Sequence, residues 1–196
     1  MSSTTLRDPD RRLWMGAAAL AGGTGLAATA VPFVASLAPS DKARAEAGPM
    51  DVDLQRLRTG ELSTLEWRGK PVFVFIRSPE VLDALAHHDD LLADPPSHRS
   101  EQPAYARNVH RSARPAIAVL VGLCTHLGCI PSFRPLPGSP DLGASWPGGF
   151  FCPCHGSKFD LAGRVFRNVP APTNLAVPPH RFVGDTLLRI GAEPEG

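Results

Sequence analysis

Two short segments decide the fold of this chain: Cys124-Thr-His-Leu-Gly-Cys129, here box 1, and Cys152-Pro-Cys-His-Gly-Ser157, here box 2. Together they contain all four cysteines among the 196 residues. Box 1 offers a Cys-x-His pair, box 2 offers a Cys-x-x-His pair, and each box has one further cysteine. Thiolate and imidazole groups are ligands of iron and of zinc. The two boxes therefore predict a metal centre assembled from two separate loops.

Two cysteines and two histidines suit two kinds of metal centre. One is a [2Fe–2S] cluster in which two histidines replace two cysteines on one iron, and the other is a tetrahedral zinc site. A single zinc ion would leave Cys129 and Cys154 without a role. Two plain disulfides would leave His126 and His155 unexplained. We therefore predict an iron–sulfur cluster, with zinc and disulfides as the alternatives.

The composition is that of a globular domain rich in β-structure. Hydrophobic residues make up 43% of the chain and charged residues 20%. The 21 prolines and 18 glycines favour many turns and short strands. The net charge of +1 and the absence of a Lys/Arg stripe argue against a nucleic-acid partner.

Apolar or alternating runs predict a set of β-strands. They cover residues 71–76, 116–123, 149–151, 163–167 and 187–190. The second and third of these run directly into box 1 and box 2, so we expect each box to form the tip of a hairpin. One helix is predicted over 79–92, with Ser78 as its N-cap and Pro79 in its first turn. Polar segment 93–114 is predicted to be a loop.

A long uncharged segment, Leu13 to Ala38, lies near the N-terminus. About 20 apolar residues cross the hydrocarbon core of a membrane, so this segment is long enough to span it. The alternative is a cleaved export signal, whose apolar part is usually shorter. The preceding pair Arg11-Arg12 fits a twin-arginine export signal. Residues 40–49, which follow the apolar segment, are polar and alanine-rich, which is typical of a linker.

The two boxes, the apolar segment and the linker resemble, in the same order, those of the bacterial Rieske iron–sulfur subunits of ubiquinol–cytochrome c reductase, the respiratory cytochrome bc complex. This resemblance implies a mainly β fold: a Rieske-type antiparallel β-sandwich with a small cluster-binding subdomain at about 122–172, preceded by one N-terminal transmembrane helix. It divides the chain into four parts. They are a cytoplasmic N-terminus with the twin-arginine pair (1–12), a transmembrane anchor (13–39), a hinge linker (40–49) and an extrinsic Rieske [2Fe–2S] domain (50–196).

The resemblance also assigns roles to individual residues. Cys124 and Cys152 would bind one iron of a single Rieske-type [2Fe–2S] cluster, and His126 and His155 would bind the other. A disulfide would join Cys129 to Cys154. The remaining cofactor-binding residues would be Ser157, which is placed to donate a hydrogen bond to a cluster sulfur, Leu127 and Gly128 of box 1, and Pro170 of a covering proline loop (169–172). His155 is the expected contact to quinol, with His126 as the second catalytic histidine.

The activity that this resemblance implies is electron transfer within a membrane complex. The subunit would oxidise quinol at a partner b-type cytochrome and pass one electron to a c-type cytochrome subunit, with proton release outside the membrane. It would not be active alone. The implied partners are both cytochrome subunits, a ubiquinol-type substrate and the membrane, in a dimeric multi-subunit complex. The expected location is the bacterial inner membrane, crossed once, with the cluster domain on the periplasmic side.

Two other classes of protein use similar boxes. Rieske ferredoxins and oxygenase components usually lack the additional cysteine pair, and they have no membrane span. The small subunit of an exported molybdenum oxidase, such as arsenite oxidase, carries a Rieske centre behind a twin-arginine signal. Such a subunit requires neither a permanent anchor nor a tip that faces quinone. Cys129, Cys154 and the apolar segment favour the quinol reductase.

Overall fold

The computed structural model describes residues 9–40 and 48–192. The chain forms two units, Met1–Ala45 and Glu46–Gly196. Most of the predicted hinge linker (residues 41–47) and most of the predicted cytoplasmic segment (residues 1–8) lie outside the described residues. The boundaries that the sequence assigned to these parts stay predictions.

The first unit contains helix α1, Pro9–Ser36, which has 28 residues. At 1.5 Å per residue it is about 42 Å long, more than the roughly 30 Å of a hydrocarbon core. None of its residues is buried. By length and composition, it is the one helix among the described residues that could cross a membrane. It starts four residues before the predicted anchor and includes Arg11 and Arg12 in its first turns.

The second unit is built from short antiparallel strands. Within residues 48–192 they are β1 Met50–Asp53, β2 Ser63–Trp67, β3 Lys70–Ile76, β4 Ile117–Val121, β5 Ser132–Arg134, β6 Gly149–Phe151, β7 Lys158–Phe159, β8 His180–Val183 and β9 Leu187–Ile190. They form three sheets with the orders β1-β9-β8, β2-β3-β4 and β5-β6-β7. The predicted mainly β, antiparallel fold with one N-terminal helix is confirmed.

Strand β3 is the centre of the packing because both of its faces are buried. Val72 and Val74 belong to a core shared with β1, β8 and β9. Phe73 and Phe75 point to the opposite face, since side chains alternate along a strand, and they join a second core with β6. The rings of Phe73 and Phe150 stack there with their centroids 5.3 Å apart. This second core also contains the two cysteines that are not in a disulfide, so the metal-ligand loops rest directly on it.

The predicted helix over 79–92 is only half right. Helix α2 covers Pro79–Leu85, and the Oγ of Ser78 accepts a hydrogen bond from the backbone of Val81, as predicted for its N-cap. A separate 3-10 turn at Asp89–Leu91 follows. Asp89 is drawn into an ion pair with Arg164 at 2.7 Å. These tertiary contacts outweigh the local helix preference after residue 85.

The predicted strand over 163–167 is wrong. Only Val165 and Phe166 form isolated bridges, to Phe159 and Leu92 respectively. A tight turn at 160–164 takes the place of a regular ladder, because the carboxylate of Asp160 accepts hydrogen bonds from the backbone of Ala162 and Arg164, both at 2.8 Å.

Candidate metal centre

The two boxes fold into loops with the same closure. In each box the N–H of the first residue donates to the carbonyl of the sixth at 2.8 Å, and the N–H of the fifth donates to the carbonyl of the first at 2.9 Å. The fifth residue is Gly128 in box 1 and Gly156 in box 2, with φ of 80° and 77°. A residue with a Cβ is strained in this left-handed region, so each loop requires its glycine.

The two loops differ in how the sheets hold them. Box 2 connects β6 to β7, which pair antiparallel, so it is the tip of a hairpin as predicted. Box 1 connects β4 of one sheet to β5 of another, so the prediction of a second hairpin tip is wrong. Box 1 therefore bridges the large sheet and the small β5-β6-β7 sheet, which lies within the predicted cluster-binding subdomain.

The four predicted ligand groups form two neighbouring pairs, one of thiols and one of imidazoles. The thiols of Cys124 and Cys152 are buried and not in a disulfide. Burial raises the pKa of Cys152, and the neighbouring Cys124 raises it further. The imidazole rings of His126 and His155 lie with their centroids 4.7 Å apart, at 89° to each other. His155 is exposed and His126 is half-buried, so the thiols occupy the inner side of the site and the imidazoles the outer side.

The other two cysteines form the disulfide Cys129–Cys154, which the resemblance implied. The sulfur atoms of both lie within 4.8 Å of the sulfur of Cys152. A disulfide sulfur is not a thiolate, and it is the thiolate that binds metal. Removing these two from the donor set leaves two thiols and two imidazoles, which suits a [2Fe–2S] cluster with mixed ligands.

A third segment, the proline loop at 169–172, is bonded to box 2, and the residue that follows it is bonded to box 1. The backbone N–H of Ala171 donates to the hydroxyl of Ser157 at 3.1 Å. The hydroxyl of Thr125 donates to the carbonyl of Thr173 at 2.7 Å. Pro170, the residue before the first of these two anchoring points, is exposed. The Thr125 contact could not be predicted from the sequence, because its partner lies 48 residues away.

Ser157 supplies a test of whether a cluster fits the site. It is fully buried, and its hydroxyl oxygen accepts the bond from Ala171. Among the described residues, no hydrogen bond uses its own hydroxyl proton. Buried polar hydrogens are rarely left without an acceptor. An inorganic or cysteine sulfur between the boxes would satisfy this proton, so the residues present fit an iron–sulfur cluster.

The outer surface of the site is apolar. Leu127 is 70% exposed and Ile130 is 58% exposed, beside the exposed Pro153 and Pro170. No Asp, Glu, Lys or Arg occurs from residue 115 to 133. Exposed apolar groups clustered around an exposed imidazole are typical of a docking surface. We call the set Leu127, Ile130, Pro153, His155 and Pro170 the apolar tip.

The sequence is similar to one known domain family and to bacterial proteins. The model of the Rieske [2Fe–2S] domain matches residues 51–179. The "Ubiquinol-cytochrome c reductase iron-sulfur subunit" of Allochromatium vinosum is 49% identical over 193 residues, which cover 98% of this chain and 93% of that protein. The protein of the same name from Blastochloris viridis is 39% identical over 197 residues, 98% of both chains.

Among solved structures, a chain of "Hyperthermophilic respiratory Complex III" is similar, with 24% sequence identity and a TM-score of 0.46. The match covers 88% of this chain and 97% of that chain.

Proposed function

Because this chain belongs to the family of Rieske iron–sulfur subunits of ubiquinol–cytochrome c reductase, we propose that it oxidises quinol at a partner b-type cytochrome and passes one electron to a c-type cytochrome. Members of this family are electron-transfer subunits of the respiratory bc complex, and each carries a Rieske-type [2Fe–2S] cluster. The observation that carries the finer proposal is the exposure of His155, a residue of the apolar tip.

The cluster would be held by Cys124 and Cys152 on one iron and by His126 and His155 on the other. When bound, it accepts and releases one electron at a time. The buried thiols keep the inner side of the site free of water. Ser157 would donate its hydroxyl proton to a sulfur atom, which would favour the more negative, reduced state.

His155 would bind the substrate. An imidazole that uses one ring nitrogen as a metal ligand keeps the other available as a hydrogen-bond partner. On His155 this second nitrogen would accept a hydrogen bond from a quinol hydroxyl, hold the proton as the electron leaves, and release it outside the membrane. Leu127 and Pro170 would exclude water around this contact by packing against the cytochrome b subunit.

The membrane arrangement follows from two features of the described residues. Helix α1 is long and apolar enough to be a single-span anchor. The disulfide Cys129–Cys154 belongs to an oxidising compartment. Together they support a single-span inner-membrane protein with its cluster domain on the periplasmic side. They also count against a cytoplasmic Rieske ferredoxin. The partner cytochromes and the dimeric complex are proposed from the family alone.

Replacing Leu127 with aspartate tests the docking role of the apolar tip. A charge placed in an apolar contact must lose its hydration without gaining a partner. We expect quinol–cytochrome c reductase activity in membranes to fall by about tenfold or more, equivalent to about 1.4 kcal/mol, while the electron paramagnetic resonance (EPR) signal of the cluster persists. The matched control is Leu136→Asp, because Leu136 is 75% exposed but lies outside the tip. Equal activities in the two variants would contradict the proposal.

Ser157 and Phe159 provide a second prediction, on the reduction potential. Ser157→Ala removes a hydrogen-bond donor to a sulfur, so the potential should fall by about 60 mV, a tenfold change for one electron. Iron content should stay close to that of the wild type. Phe159 is fully buried in the same core as Cys124 and Cys152 and has no donor, so Phe159→Tyr adds a hydroxyl donor and should raise the potential. A redox titration in which neither variant shifts, or in which the tyrosine lowers the potential, would refute this tuning.

A further inference from the structure

Three buried arginines bond the turn that follows box 2, residues 160–164. Arg164 belongs to the turn, and Arg77 and Arg111 reach it from other segments. Arg164 is fully paired. Its Nε donates to Asp160 at 2.7 Å, and its terminal nitrogens donate to Asp89 at 2.7 Å and to the carbonyl of Leu85 at 2.6 Å. This guanidinium therefore has two carboxylate partners. Nothing in the local sequence predicts that any of the three is buried, and the function proposed above uses none of them.

Arg77 and Arg111 differ from Arg164 because neither is paired with a carboxylate among the described residues. They are only 3% and 0% exposed. One terminal nitrogen of each, Nη2, is buried without a hydrogen-bond partner. The other nitrogens donate to neutral oxygens: Arg77 to the carbonyls of Leu161 (3.0 Å) and Pro115 (2.8 Å), and Arg111 to the carbonyls of Ala162 and Gly163 (both 3.3 Å) and to the side chain of Gln102 (3.0 Å).

Both groups nevertheless keep their charge at neutral pH. Burial lowers the pKa of Arg77 to about 9, with repulsion from Arg111 and Arg164 acting in the same direction and attraction by Asp160 opposing it. Burial likewise lowers the pKa of Arg111 to about 10, with Asp160 and Asp94 opposing the change. A buried charge that has no ion-pair partner is costly. Neutral donors such as glutamine could bond the same carbonyls, so the hydrogen bonds alone do not account for two cations.

Two of the bound carbonyls belong to residues of the core that also contains the two buried thiols. Leu161 and Ala162 pack in the same buried cluster as Cys124, Cys152 and Phe159. The guanidiniums are therefore bonded to the same largely apolar core to which the thiols belong. Charges interact more strongly across such a medium than across solvent.

We propose that Arg77 and Arg111 are positioning residues that also raise the reduction potential of the cluster, because their positive charge, to which no carboxylate is hydrogen-bonded among the described residues, stabilises the electron that it receives. The formal charges of two ferric ions, two sulfides and two thiolates cancel, so reduction adds one unbalanced negative charge. The proposal rests on the [2Fe–2S] ligation put forward under the proposed function.

A redox titration followed by EPR on membranes that contain the full chain tests this role. Arg77→Met keeps the length of the side chain and removes its charge, whereas Arg77→Lys keeps the charge. We expect Arg77→Met to make reduction at least threefold less favourable, about 30 mV at 59 mV per tenfold. Arg77→Lys should recover most of this shift when measured at pH 6, where a buried lysine keeps its proton more fully. Arg107→Met, at an exposed arginine, is the control and should leave the potential unchanged.

A purely structural role predicts a different pattern. It would lower cluster content and thermal stability in both Arg77 variants without a shift in potential that follows charge. An unchanged potential in Arg77→Met with full iron content, or equal falls in the methionine and lysine variants, would overturn the proposal. If Arg77→Met assembles no cluster, Arg111→Met and Arg111→Lys give the same comparison. A wild-type chain without a Rieske EPR signal would overturn the cofactor assignment itself, which separates that failure from this one.

Discussion

Replacing Cys152 with serine should eliminate the iron–sulfur signal of this chain and, with it, all quinol oxidation that depends on the chain. The thiol of Cys152 is 1% exposed and belongs to the core on which both loops rest. A serine hydroxyl is a harder and far less acidic ligand than a thiolate, so it does not replace sulfur on iron. Cys124→Ser should have the same effect, since Cys124 is the matching buried thiol in box 1.

The matched control is the double variant Cys129→Ser/Cys154→Ser, which also removes cysteines from the two boxes but leaves all four proposed ligands. We expect its EPR signal to persist at lower amplitude in freshly prepared membranes. Iron content and EPR of the purified chains distinguish the proposed ligand pair, Cys124 and Cys152, from the disulfide pair, Cys129 and Cys154. A Rieske signal that survives in Cys152→Ser, or one that disappears in the double variant alone, would contradict the ligand assignment.

The same double variant should lower the stability of the cluster domain substantially. The disulfide closes a loop with a sequence separation of 25 residues. In the chain-entropy description, losing such a crosslink costs about 3.5 kcal/mol at 25 °C. For a chain of this size, that corresponds to a fall of about 10 °C in the midpoint of thermal unfolding. The bond also joins the two ligand loops directly, so its loss should release the cluster before the β-sheets unfold.

This loss of stability is measured by the decrease in the visible absorption of the cluster on heating. The wild type and the double variant are heated in detergent at the same scan rate. Circular dichroism on the same samples reports the sheets. The expected order is loss of the cluster first and loss of the sheets later, at a temperature nearer to that of the wild type. A midpoint for the cluster within about 2 °C of the wild type would show that the disulfide adds little to the site.

The ligand loops could be recognised in the sequence because their chemistry is local. Each box closes on itself through backbone hydrogen bonds within six residues, and its cysteines, histidine and glycine are all visible in one short segment. The strands β3 and β9 could also be predicted, since β3 is a continuous apolar run after its first residue and β9 carries only one charged residue among apolar ones. Both lie at the centre of their sheets, where neighbouring strands cover them.

The parts that the sequence did not predict depend on distant partners. Strand β1 reads Met-Asp-Val-Asp, which has little apolar character, and it is a strand because it pairs with β9 at the other end of the domain. Helix α2 ends early because Asp89 pairs with Arg164, 75 residues away. The burial of Arg77 could not be predicted from the sequence either, since an arginine after an apolar strand is most often at the surface.

EPR spectra of membranes that contain the wild-type chain, reduced first with ascorbate and then with dithionite, test the central claim most directly. A Rieske-type signal that is already present with ascorbate, and that changes when an inhibitor of the quinol site is added, is the predicted result. It would show a high-potential cluster in contact with the quinol site. A signal that appears only with dithionite would contradict the account and favour a low-potential ferredoxin. The absence of any iron signal would also contradict it and would favour a zinc site.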